Sequence, residues 1–282
     1  MRFISFEHEG RASWGRVEGS DVVDLGALPN APVGLRQAIA EDALSLDALN
    51  LNGPAPRLPK SSVRLLPVIP DPSKILCVGH NYEDHRKETG RAAVAHPSIF
   101  TRFADTLVGA HDPVICPAVS DNLDYEAELA IVIGKGGRNI SKAAAMDHVA
   151  GFACFNDASL RDWQWHTNQF IPGKNFPGTA PFGPELVTPD EIDDLDAVVV
   201  RSILNGKIMQ EAPVSHMLFP IPVIIAYVSQ FTMLSPGDVI ATGTPGGVGA
   251  KRTPPVWMRP GDEIEVRIDG VGSLLSKIVA EG

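Results

Sequence analysis

Apolar and polar positions alternate in short bursts along most of this chain, and helical spacing is the exception. Residues 2–8, 12–17 and 22–25 alternate between Glu9-Gly10 and Glu18-Gly19-Ser20 turns, the pattern of half-buried strands. A helical pattern follows over 35–49, then the turn-rich stretch Asn52-Gly53-Pro54-Ala55-Pro56. Beyond Pro67, Pro70 and Pro72, strands are predicted over 74–78, 98–103, 125–134, 150–155, 197–204, 238–242 and 263–268, with a last one near 273–279. Helices are expected only over 82–88, 141–147 and 221–233. The last lies in the longest apolar stretch, 217–234. Its start is marked by Pro220 and Pro222, and Ser229, Gln230 and Thr232 within it make it a buried helix and not a membrane span.

Many strands with few helices between them argue against a doubly wound parallel sheet and for a rolled, mixed one. The expected class is α+β and β-dominated, with a small β-rich domain over 1–70 and a larger unit over 71–282. Composition then removes several functions. The formal charge of −10 repels phosphate backbones, so no nucleic-acid partner is expected. The first residues lack a basic segment followed by an apolar one, so no secretory signal is read. Cys77, Cys116 and Cys154 lie in or beside apolar runs, outside any CxxC, as expected of buried thiols in a reducing compartment. A cytoplasmic protein with no membrane partner is the resulting expectation.

Five segments could carry chemistry. In Tyr125-Glu126-Ala127-Glu128-Leu129, residues two apart share a strand face, so Glu126 and Glu128 present neighbouring carboxylates. Their repulsion would be relieved by a divalent cation; a solvated strand start is the plainer alternative. Asp157 ends the apolar run Phe152-Ala153-Cys154-Phe155-Asn156, as a third oxygen ligand for Mg2+ or Mn2+ or as a helix N-cap. His85 and Glu88 lie three apart on one helix face, a spacing that suits an oriented general base or a merely charged surface. Arg161-Asp162-Trp163-Gln164 and Gly173-Lys174-Asn175-Phe176 offer a cation to a substrate carboxylate, or are surface loops. Thr242-Gly243-Thr244-Pro245-Gly246-Gly247-Val248-Gly249 follows a strand, and its amides could cradle an anion or simply form a tight turn.

Taken in order, these segments, with Val78-Gly79-His80-Asn81-Tyr82 before the His85 helix, resemble the fumarylacetoacetate hydrolase superfamily over about residues 74–282. The resemblance points to its acylpyruvate hydrolase and 2-oxo acid decarboxylase or isomerase branch. It implies a mixed β-roll core, a small N-terminal β domain and usually a homodimer. It also implies Mg2+ or Mn2+ on Glu126, Glu128 and Asp157, and a His85–Glu88 dyad assisted by Lys174. Arg161, Gln164, Tyr82 and Thr244 would contact the substrate. Three departures lie near that substrate: His80 where members often carry Arg or Leu, Asn175 where Ser is common, and Phe170-Ile171-Pro172-Gly173 before the lysine. The resulting expectation is a hydrolase cleaving a C–C bond in a small acylpyruvate or related 2,4-dioxo acid, of the kind met in aromatic compound catabolism. The alternative is a decarboxylase or keto–enol isomerase of an oxaloacetate- or 2-hydroxymuconate-type acid on the same metal site.

Overall fold

Strand Ala127–Ile133 is apolar at nearly every position, and the reason is visible in what covers it. In this computed structural model, which describes residues 1–44 and 55–282, Leu129, Ile131 and Ile133 point into one core. They meet Phe152, Cys154, Val200, Val266 and Leu274 there, together with Ile224, Ile225 and Val228 of the helix Ile221–Phe231. Ala130 and Val132 point the opposite way, into a second core with Ala153, Phe155, Phe182, Val239, Phe3 and Trp14. Each large side chain so buried contributes about 1.5–3 kcal/mol, so a sheet covered on both faces needs a continuous apolar strand.

That strand is central in a twelve-stranded mixed sheet. Its main path runs through Arg57–Pro59, Asp21–Asp24, Arg11–Glu18, Arg2–His8, Ala180–Val187, Val149–Asn156, Ala127–Ile133, Val239–Ala241, Ile75–Gly79 and Ser98–Arg102. Most neighbours are antiparallel, but Val239–Ala241 pairs in parallel with Ile75–Gly79. Residues on either side of position 70 share this sheet, since Arg2 pairs with Val187 and Phe3 with Leu186. A five-stranded sheet packs on one face, in the order Lys207–Pro213, Val199–Leu204, Glu263–Ile268, Gly272–Ala280 and Val114–Cys116. The sheet-dominated class and the rolled, mixed sheet are as the strand pattern predicts. All three cysteines are free and buried. Among the described residues, no helix is long and apolar enough to cross a membrane.

Four local expectations are corrected. The helix expected over 35–49 ends at Ala40, where the chain turns through Asp42 at φ 54°; residues 45–54 lie outside those described. The helix expected over 141–147 is replaced by turns and a 3-10 segment, Ala145–His148. There the amides of Asn139 and Ile140 bond Ser229, and these tertiary bonds outweigh the propensity of a run too short to nucleate. Strand Ala180–Val187, which contains Pro181 and Pro184, was not expected. It pairs with Val149–Asn156 around an irregularity in register between Phe152 and Cys154. Strand Lys207–Pro213 was also missed, although Asn205-Gly206 before it, both at positive φ, is a strong hairpin signal.

Candidate active site

The segments of interest meet at one end of the central strands. Glu126 and Glu128 stand at the start of strand Ala127–Ile133, and Asp157 follows the antiparallel strand Val149–Asn156. Pairing of Ala127 with Asn156 brings these ends together, and a ligand oxygen from each of the three carboxylates falls within 4.8 Å of the others. All three are buried.

Cations surround the triad. Lys174 donates to Glu126 Oε2 (2.8 Å) and to Asp157 Oδ2 (2.6 Å). Arg161 Nη2 lies 2.6 Å from Glu126 Oε1, and Arg161 Nε donates to Asp124 Oδ2 at 2.8 Å. Arg102 Nε lies 3.2 Å from Asp157 Oδ1, out of line for a hydrogen bond, so that buried oxygen has a charged neighbour but no donor. Burial works to raise the Glu126 carboxyl, but Lys174 and Arg161 overcome it and hold the group below its ordinary range. Burial works likewise to lower the Lys174 ammonium, and Asp157 with Glu126 outweighs it. Glu128 makes no ion pair among the described residues, and the charge of Lys174 offsets only part of what acts on it. Burial pushes its carboxyl well above the ordinary value, and the charges of Asp157 and Glu126 push it further.

Three buried cations (Arg102, Arg161, Lys174) thus face four buried carboxylates (Asp124, Glu126, Glu128, Asp157). A divalent cation on Glu126, Glu128 and Asp157 would supply the missing charge, ionise Glu128 and give Asp157 Oδ1 a partner. An all-oxygen donor set of this kind fits Mg2+ or Mn2+.

His85 and Glu88 come from the short helix Glu83–Glu88. Their spacing delivers His85 Nδ1 to Glu88 Oε1 at 2.7 Å. Both His85 and the triad glutamates line one cavity of about 270 Å³, walled by Phe100, Trp165, Phe170 and Trp257 and bordered by Arg161, Gln164, Lys174 and Thr244. Gln164 accepts from Arg161 Nη1 at 2.9 Å. Lys174 reaches the floor because Gly173 lies against the turn carrying Gln164. A Cβ at residue 173 would stand 2.5 Å from the Gln164 amide nitrogen. His80 also borders the cavity and stacks on His85, with ring centroids 5.3 Å apart. Burial, then the neighbouring His85, lowers its pKa to about 4, so at neutral pH it is an uncharged imidazole.

The structure does not bring Tyr82 to this cavity. Its side chain belongs to the core, and its hydroxyl finds no partner among the described residues. Thr244 borders the cavity, but its hydroxyl donates to Ala127 O (2.9 Å) and accepts from Gln210 Nε2 (2.8 Å). The glycine-rich loop does cradle anions, but they are the protein's own carboxylates. Gly243 N donates to Glu128 (2.8 Å), Gly247 N to Glu88 (2.9 Å), and Gly249 N and Ala250 N to Asp124 (2.7 and 3.0 Å). One loop therefore holds a triad carboxylate, the dyad carboxylate and the anchor of Arg161.

Three residues were missed by sequence reasoning: Asp124, Arg102 and Gln210, all buried. Gln210 accepts from the Ala127 amide (3.0 Å) and donates to Thr244 and Pro245 O (2.8 Å each), tying the start of the central strand to the loop. The Asn-Gly hairpin signal would have placed Gln210 on an inward-facing strand. Nothing local distinguishes Asp124 or Arg102.

This fold and this site define an enzyme of the fumarylacetoacetate hydrolase type. The chain belongs to that family: the model of the fumarylacetoacetate hydrolase C-terminal domain matches residues 74–279. It is 41% identical over 266 residues to the mitochondrial oxaloacetate tautomerase FAHD2A of Homo sapiens, covering 93% of this chain and 85% of that one. Among solved structures it resembles the fumarylacetoacetate hydrolase of Exiguobacterium antarcticum, with TM-score 0.87, 38% identity and full coverage of both chains. It also resembles the maleylpyruvate hydrolase of Sphingobium sp. SYK-6 in complex with manganese(II) and pyruvate, with TM-score 0.81, 30% identity and full coverage of both chains.

Proposed function

We propose that this chain interconverts the keto and enol forms of a small 2-oxo acid with the help of a divalent metal, and that oxaloacetate is the first substrate to test. The observation that carries this reading is that Glu126 and Glu128 of the carboxylate triad and His85, which Glu88 orients from behind, line the same small cavity. Its support from outside is that a curated relative at about two-fifths identity is itself named an oxaloacetate tautomerase. Residues 71–282 would form the catalytic unit, with 1–70 a small β-rich unit that extends its sheet.

Glu126, Glu128 and Asp157 would hold Mg2+ or Mn2+, which when bound supplies Lewis acidity toward a 2-oxo carboxylate. The proton is moved by the protein. His85 Nδ1 is paired with Glu88, which leaves Nε2 as the ring nitrogen that would take a proton from the carbon next to the keto group. Gly247 N fixes the other Glu88 oxygen, so the carboxylate orients the ring without rotating. The ammonium of Lys174 would stabilise negative charge developing on the keto oxygen, and the proton taken up by His85 would be returned to that oxygen to complete the enol. Gln164, held by Arg161, would orient the substrate carboxylate.

C–C hydrolysis of an acylpyruvate, the first expectation from the sequence, becomes the second reading. It is favoured by the same dyad, which would equally activate a water molecule. The two separate in one experiment: Mn2+-loaded protein is given oxaloacetate and a panel of acylpyruvates, and products are identified by NMR. Enolisation without new carbon fragments supports the tautomerase, and acyl fragments support the hydrolase. In either case His85→Ala should lower turnover by about 10²–10⁴-fold while metal affinity is retained. Wild-type turnover in that variant would remove His85 from the mechanism.

A further inference from the structure

The cations bordering the cavity differ in one respect. Arg161 is buried against Asp124 and Glu126, and Lys174 is buried against Glu126 and Asp157. Lys251 is exposed, and its ammonium has neither an ion pair nor a hydrogen bond among the described residues. Its backbone is nevertheless held to the site. Gly249 and Ala250, just before it, donate to the same Asp124 that anchors Arg161, and the Lys251 amide bonds Val248 O. The cavity is thus lined by a cation fixed at its backbone, exposed to solvent and free at its tip among the described residues.

We propose that Lys251 receives the second carboxylate of a 2-oxo diacid. This rests on the reading of the site as one for 2-oxo acids. With one end of the substrate at the buried triad, the remaining wall offers a second carboxylate the apolar Val248, Trp165, Phe170 and Trp257, the neutral Asn122 and the acidic Asp162, where an unpaired negative charge is costly. Arg91 is near that wall, but its guanidinium already lies over the Trp165 and Phe170 rings, 5.2 and 6.0 Å from their centroids. In a chain of charge −10, which repels a dianion as a whole, an unpaired lysine at the cavity supplies the local attraction.

The test compares Mn2+-loaded wild type with Lys251→Met, Lys251→Arg and Lys207→Met on two compounds. Oxaloacetate carries two carboxylates, whereas acetylpyruvate carries one. Lys207 is exposed on the hairpin at Lys207–Pro213 and does not border the cavity, so its replacement changes net charge alone. Lys251→Met should raise the oxaloacetate KM about tenfold with kcat little changed, the signature of lost ground-state binding to a charged group. The acetylpyruvate KM, or its competitive Ki, should stay within about twofold, Lys251→Arg should restore most of the oxaloacetate affinity, and Lys207→Met should change neither. An unchanged oxaloacetate KM in Lys251→Met, or equal losses for both compounds, would overturn the assignment and leave the 2-oxo acid reading standing. Wild type that turns over and binds neither compound would sink that reading, and this inference with it.

Discussion

Asp124 was invisible as a functional residue in the sequence, and its replacement by Asn gives the sharpest test of how the site is held. The side chain is fully buried and accepts four hydrogen bonds, two on each oxygen. Oδ1 takes the amides of Tyr125 (2.9 Å) and Gly249 (2.7 Å), and Oδ2 takes the Ala250 amide (3.0 Å) and Arg161 Nε (2.8 Å). Asparagine has the same shape but only one acceptor. Whichever way its amide is turned, its NH2 faces two donors, so two of the four bonds are lost and replaced by donor–donor contact. Arg161 also loses a buried counter-charge. Each bond to a charged group is worth about 1.5–3 kcal/mol, and breaking a buried ion pair from one side costs about 3–5 kcal/mol. We therefore expect Asp124→Asn to lower unfolding free energy by about 3–5 kcal/mol in urea titrations at pH 7 and fixed metal concentration. Coupling is the stricter check. Arg161→Met and Asp124→Asn should be less costly together than the sum of the single changes, by more than about 1 kcal/mol. A loss below about 1 kcal/mol, or strict additivity, would show that the Asp124–Arg161 pair does not organise the site.

Two further outcomes follow from the same geometry. Glu128→Ala should abolish tight Mn2+ binding in calorimetry, because it removes one of three charged oxygen ligands; affinity equal to wild type would place the metal elsewhere. Stability should also fall on acidification through His80. Its folded pKa of about 4 is below its ordinary 6.5, so between those values the unfolded chain binds more protons and stability is lost as pH falls. From pH 7 to 5.5 this amounts to about 1 kcal/mol once its partial exposure is allowed for. His80→Asn, a residue that tolerates the positive φ at this position, should flatten that part of the urea-measured pH profile; an unchanged slope would assign it to other groups.

The local periodicities read correctly where one covering surface decides them. Apolar residues at every position of 129–133 required burial on both faces, and both cores are there. The spacing of His85 and Glu88 required one helix face, and they are 2.7 Å apart. Glu126 and Glu128 required one side of a strand, and Asp157 joins them because adjacent antiparallel strands end together. These relations need only the geometry of a helix or a strand. What lay beyond reach depended on which distant segments pack together. Strand Ala180–Val187 was not read from the sequence; it contains two prolines, and the strand beside it passes Pro184 with an irregularity in register. The loop amides read as a cradle for an outside anion, yet the fold turns Glu88, Glu128 and Asp124 into it. Arg102 and Asp157, 55 residues apart in sequence, become neighbours only when strand Ser98–Arg102 is laid at the sheet's edge near the triad. A charge in a sequence has no partner until the chain has folded, because its pairing and desolvation depend on groups brought in from far along the chain. Polarity along the chain is therefore enough to choose strands and their buried faces, while the balance of buried charge that makes this site is set by tertiary structure alone.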